Sequence, residues 1–136
     1  MKIWTNLGVE DVERTQKFYQ ALGFKLNGTH TNEIVSFLFG DDEFVIHFFK
    51  KEKLKESFEG EIANLSNGNE IMFTLSVNSE EEVNILIDKI IKVGGDIRFD
   101  PRKDKKKFYD DNGYYVCVFE DLDGHLFNLF CNLNKR

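Results

Sequence analysis

Polar and apolar positions alternate, shift to helical spacing, alternate again, and then repeat the whole series. Residues 3–9 are β-rich. Asp11 stands where an N-cap belongs, and Val12, Thr15, Tyr19 and Leu22 then recur at helical spacing. Gly23 supplies a left-handed stop, and residues 24–26 begin a short strand. Residues 34–39 and 44–49 flank Gly40-Asp41-Asp42-Glu43, which reads as a tight hairpin. The second half opens with a strand over residues 71–77. Ser79 with Glu82 three residues on reads as a capping box, and Glu80 and Glu81 suit the positive end of a helix. Val83, Leu86, Ile87, Ile90 and Ile91 form its apolar stripe, and Gly94-Gly95 ends it. Residues 97–99 mirror 24–26, and strands over 114–120 and 125–130 close around Asp121-Leu122-Asp123-Gly124. The series predicts an α+β fold of two βαβββ units, alike in their pattern of elements rather than in identities.

Two segments fall outside the repeat. Residues 50–68 form a charged connector with a helical turn around Leu54 and Phe58, and residues 100–113 carry the single proline and a basic run over 103–107. Solvated linkers are the ordinary reading of such charge runs. The alternative for 100–113 is a lid, because Phe108 and Tyr109 interrupt its charges. One domain is expected, with module one over about 1–50, a connector over 51–69 and module two over about 70–133.

Opposed residues of an antiparallel hairpin share a face, so turn centres assign side chains to faces. A centre at Asp41-Asp42 puts Val35, Phe37, Phe39, Phe44, Ile46 and Phe48 on one wholly apolar face, with Ser36 opposite His47 on the other. A centre between Leu122 and Asp123 places Val116, Val118, Phe127 and Leu129 together. It leaves Tyr115, Cys117 and Phe119 with Leu126, Asn128 and Phe130. The apolar faces should pack under the helices. The mixed faces add Trp4, Asn6 and Gly8 in one unit and Met72, Thr74 and Ser76 in the other. Aromatic walls with a few directed polar groups are what ligand pockets use, so a curled sheet enclosing a pocket is expected. Solvent or a partner subunit is the other possible neighbour of these faces.

Composition narrows this further. The chain has 136 residues, a net charge of −6, 41% hydrophobic residues and 14 Phe, enough to fill a core without staples. The apolar content argues against disorder. No apolar run approaches the ~18 residues of a membrane span, and the N-terminal residues lack the apolar stretch of a secretory signal. The acidic balance disfavours nucleic acid. Two cysteines, Cys117 and Cys131, are expected to face opposite ways and stay reduced, as suits a cytoplasmic protein.

The run Asn6-Leu7-Gly8-Val9-Glu10-Asp11-Val12-Glu13-Arg14-Thr15, followed by Phe18-Tyr19 and Leu22-Gly23-Phe24, resembles the opening signature of the glyoxalase/bleomycin-resistance/dioxygenase superfamily, the vicinal oxygen chelate fold. Leu75-Ser76-Val77 and Glu120-Asp121-Leu122-Asp123-Gly124-His125 resemble its second-module signatures. The resemblance covers essentially the whole chain. It implies paired βαβββ modules forming an incomplete eight-stranded barrel-like curved sheet with helices on the outer face. It also implies dimers, and in the metal enzymes a divalent ion held from the first and last strand of each module. Those places fall on Trp4, His47, Met72 and Asn128.

Only His47 among the four is a good ligand. Indole offers no lone pair, a thioether is soft, and an amide carbonyl is a weak neutral donor. One imidazole does not make a catalytic site of three or four ligands. A displaced site using His47, Cys117 and another group is the remaining way to hold an ion. His47 reads equally as a ligand contact or general base and as a satisfied structural residue. Cys117 reads as a buried inert thiol rather than a nucleophile, since no paired base is evident. His30 and His125 have no partners in the sequence pattern. The expectation is therefore a metal-free, cofactor-free protein with no catalytic residue assigned. It would bind a small, partly apolar or aromatic molecule through Trp4, Asn6, Ser36, His47, Phe49, Met72, Thr74, Tyr115, Cys117, Phe119, Asn128 and Phe130. Its partners are a small-molecule ligand and a second copy in a homodimer, with neither nucleic acid nor membrane. The alternatives are a metal-dependent lyase, isomerase or dioxygenase with an altered metal site, and a non-catalytic interaction module.

Overall fold

Strand, helix and three strands recur in each half of the chain. The computed structural model describes residues 1–41 and 44–134. The chain divides into a unit of residues 1–64 and a unit of residues 65–136.

In the first unit, β1 (Trp4–Val9) leads into α1 (Val12–Ala21), followed by β2 (Lys25–Leu26), β3 (Ile34–Phe39) and β4 (Phe44–Lys50). The helix starts where Asp11 accepts from the backbone N–H of Arg14 at 3.2 Å. It ends at Gly23, whose φ of +96° continues the chain as an ordinary L-residue rarely can. The sheet has the order β1-β4-β3-β2, with β1 parallel to β4 and the other pairs antiparallel. The apolar face packs under α1 as the alternation predicts. Tyr19 stacks on Phe48 with ring centroids 4.7 Å apart, and Phe37 and Phe39 close around it. Such ring pairs contribute about 0.5–1.5 kcal/mol each beyond area burial. The pairing Phe39↔Phe44 and Ser36↔His47 is the one expected, although Asp42 and Glu43 of the predicted turn lie outside the described residues.

The connector begins as a helix, α2 (Lys51–Phe58), longer than the single turn expected. Its Leu54 is buried and its Phe58 half exposed. Gly8 makes room for it: a Cβ there would meet Lys51 Cγ at 3.3 Å and Leu54 Cδ2 at 3.5 Å.

The second unit runs β5 (Met72–Ser76), α3 (Glu80–Lys92), β6 (Asp96–Phe99), α4 (Lys107–Asn112), β7 (Tyr114–Glu120) and β8 (Leu126–Asn132). Its sheet has the equivalent order β5-β8-β7-β6. Ser79 caps α3 by accepting from the backbone N–H of Glu82 at 3.1 Å. Val83, Ile87 and Ile90 are buried, whereas Ile91 of the expected stripe is exposed. Segment 100–113, read in the first place as a linker, instead holds α4 against β7. Phe108 meets Tyr114 and Tyr109 meets Phe99, at ring distances of 6.1 and 5.4 Å.

The second hairpin departs from the expected register by one residue. Its loop has five residues rather than four, so Glu120 pairs with Leu126, Val118 with Asn128 and Cys117 with Leu129. The cause is Asp121. Its buried carboxylate accepts from the backbone N–H groups of both Asp123 and His125 at 2.9 Å, and its own N–H donates to the His125 carbonyl at 3.0 Å. A one-residue slip turns a strand over. Tyr115, Cys117 and Phe119 therefore join Phe127, Leu129 and Cys131 on the α3 side, and Val116 and Val118 move to the other face. Cys117 and Cys131 share a face rather than opposing, and both are buried and outside any disulfide. Among the described residues no helix is long and apolar enough to cross a membrane.

Candidate functional site

The parallel pairing of β1 with β4 places Trp4 beside Val45 and Asn6 beside His47. Paired residues of a ladder point to the same side, so Trp4, Asn6, Ser36, His47 and Phe49 share the mixed face, away from α1. The face is open at Trp4, which is half exposed, and closed over Gly8 by Lys51 and Leu54 of α2. Its polar centre is a pair: the Ser36 hydroxyl is hydrogen-bonded to Nδ1 of His47. Phe49 meets the imidazole edge-on with centroids 6.0 Å apart. Burial lowers the His47 pKa from 6.5, so the ring is neutral at pH 7. A hydroxyl can donate or accept, and its choice sets whether Nε2 presents a lone pair or an N–H.

In the second unit β5 lies parallel to β8, with Met72 beside Leu126, Thr74 beside Asn128 and Ser76 beside Phe130. These residues share one face, as expected. The register adds Tyr114, Val116 and Val118 from β7, which the expected hairpin had left out. The signal that could have found them is the Asp121-Leu122-Asp123-Gly124-His125 run, where an aspartate can cap its own turn two and four residues on. Tyr114 and Phe130 pack with centroids 4.8 Å apart. Asn128 is 8% exposed, and its Oδ1 has no hydrogen-bond partner among the described residues. A buried acceptor left unpaired costs about 1–3 kcal/mol.

Three expected site residues lie elsewhere. Tyr115 reaches the α3 side, where its hydroxyl donates to Asn84 Oδ1 at 2.7 Å. Phe119 stacks on Phe127 in the core, centroids 5.5 Å apart. Cys117 is wholly buried, and desolvation pushes its thiol up to about 12. This agrees with an inert thiol and removes Cys117 from the mixed face. His125, expected to be without partners, is buried, and its N–H is held by Asp121.

Of the positions that the resemblance links to metal, Trp4 and His47 share one face of the first sheet, and Met72 and Asn128 share one face of the second. Among the described residues no group of three or more His, Cys, Asp or Glu is placed to hold an ion. An indole, a thioether and a neutral amide do not fit a hard divalent cation.

Residues 3–37 match the family described as bleomycin resistance protein-like N-terminal. A hypothetical protein from S. aureus, SA1046, superposes with a TM-score of 0.81 at 30% identity, over 96% of this chain and 93% of that one. A glyoxalase/bleomycin resistance protein/dioxygenase family enzyme from Burkholderia phytofirmans PsJN superposes at 0.76, with 18% identity over 96% of this chain and 97% of that one. The first module matches a bleomycin resistance protein-like family, and the whole chain has the fold of the glyoxalase/bleomycin resistance/dioxygenase superfamily. Its α+β architecture of two four-stranded mixed sheets is that of the superfamily. Another superfamily fold is the fosfomycin resistance protein FosX of Listeria monocytogenes, solved with Mn(II) and sulfate. It superposes at 0.67, with 18% identity over 97% of this chain and 90% of that one. No curated protein matches the sequence.

Proposed function

We propose that this chain binds a small, neutral, partly aromatic molecule on its mixed sheet faces, without a divalent ion. The observation that carries the reading is the buried, unpaired Oδ1 of Asn128, flanked by Thr74 and Val118 and by the Tyr114–Phe130 ring pair. An acceptor held out of water at a cost is an acceptor that awaits a donor, and the surrounding rings favour a flat apolar body. Within the first unit, His47, neutral and held by Ser36, is the corresponding polar group of that unit's own mixed face. The metal-dependent lyase, isomerase or dioxygenase reading lacks a donor set, because Trp4, Met72 and Asn128 stand where ligands are needed. β1 and β5 each end their sheet, and such free edges support a homodimer, which light scattering of the purified chain tests.

Native mass spectrometry of the gently purified protein, followed by a screen of phenols, anilides and heteroaromatic amides, tests the binding itself. The reading predicts a bound donor-bearing ring compound whose affinity falls about tenfold in Asn128→Leu, the effect of losing one hydrogen bond of about 1.4 kcal/mol. Unchanged affinity in that variant contradicts it.

A further inference from the structure

A second concavity lies wholly within the second unit, between α4 and the start of β7, and meets the proposed ligand site only at Tyr114 and Val116. It has a volume of about 240 Å³. Phe99 and Tyr109 wall it, and Tyr114 and Tyr115 at the start of β7 border it. Tyr109 stands at 87° to Phe99, so the two rings make a corner rather than a stack. α4 forms one side of it, the segment whose Phe108 and Tyr109 suggested a lid from sequence.

The charges on its lining are unbalanced. Glu80, Asp104 and Asp110 line it against Lys105, with Lys106 standing over its Tyr109 ring. Asp104 accepts from the backbone N–H of Asp100 at 2.8 Å, which leaves its charge unneutralised. Glu80 and Asp110 make no ion pair among the described residues and are exposed at the rim. The rings already attract a cation, since the Lys106 ammonium sits 5.2 Å from the Tyr109 centroid.

The walls are held before any ligand arrives. Arg102 ties the approach to α4 by donating to Asp100 and to Asp88, at 3.0 and 2.8 Å. Beyond the helix, Leu133 N–H donates to the Gly113 carbonyl at 2.8 Å and Asn134 Nδ2 donates to the Asn112 carbonyl at 2.6 Å. Prepared walls spare a ligand the ordering cost. Apolar faces that attract positive charge, with carboxylates at the rim, suit a cation too large and too weakly hydrated to prefer water. The volume lies below the roughly 300–1,000 Å³ of pockets for drug-sized molecules, so a headgroup fits and a tail does not.

We propose that this cleft is a binding site for an organic ammonium ion, a methylated or quaternary amine lodged against Tyr109 and Phe99 and balanced by Glu80 and Asp110. The test is calorimetric titration of the full chain with tetramethylammonium and with choline, against the uncharged carbon analogue of choline. Both cations should occupy one site, the analogue should bind at least about tenfold more weakly, and Tyr109→Leu should weaken the cations about tenfold. Glu80→Gln, an exposed change that leaves the walls intact, should weaken them and flatten the salt dependence. It carries the test if Tyr109→Leu does not fold. Equal binding of the neutral analogue, no binding of either cation at millimolar concentration, or unchanged affinity in Glu80→Gln overturns the proposal.

Discussion

Asn128 and His47 hold matching places, each on the last strand of its module and each beside a polar residue of the first strand, Thr74 or Asn6. The neighbouring strand separates them. Ser36 lies opposite His47 and bonds it, whereas Val118 lies opposite Asn128 and offers nothing. Asn128→Leu removes the orphaned acceptor at similar volume and should stabilise the chain by about 1 kcal/mol while it weakens ligand binding; urea unfolding checks it. His47 carries a pH signature. Its folded pKa lies below 6.5, so the unfolded chain binds the extra proton first. Stability should be complete above 6.5 and fall as pH drops toward the folded value. Denaturation across this range should show the slope, and His47→Gln should lose it. Cys117, with its thiol pushed up to about 12 and no exposure, should resist iodoacetamide in the folded chain and react once unfolded. Mass analysis of the alkylated protein reads that directly.

Elements were legible where side-chain period and turn chemistry agreed. Asp11 and Ser79 announce their helices, and the apolar alternation of 34–39 and 44–49 fixes the first hairpin's faces because a slip would bury His47 and Ser36 under α1. The second hairpin has no such guard. Cys117, Phe119 and Tyr115 are as apolar as Val116 and Val118, so either face of β7 could meet the helix, and only the carboxylate of Asp121 selects the five-residue loop. Asp121→Ala should therefore cost about 1–3 kcal/mol by leaving two backbone donors unmet, measured by thermal or urea unfolding. α4 escaped notice for another reason. Six residues with two aromatics show no helical period, and the helix rests on tertiary contacts of Phe108 and Tyr109 rather than on its own pattern.

Across the whole chain, the superfamily fold was readable from short runs at strand and helix junctions, where backbone geometry restricts the residue type. The candidate site was readable on β1, β4, β5 and β8, whose parallel pairings keep Trp4 with His47 and Met72 with Asn128 on their faces. It was unreadable on β7, where a loop of one more residue exchanged Tyr115, Cys117 and Phe119 for Tyr114, Val116 and Val118. At the positions that the resemblance links to metal, this chain carries an indole, a thioether and an amide beside His47. The most direct test is to dialyse the protein against Mn, Ni and Zn salts, wash it, and count retained metal by elemental analysis. Far less than one ion per chain should remain. One ion retained per chain, and lost in His47→Ala, would contradict a metal-free site.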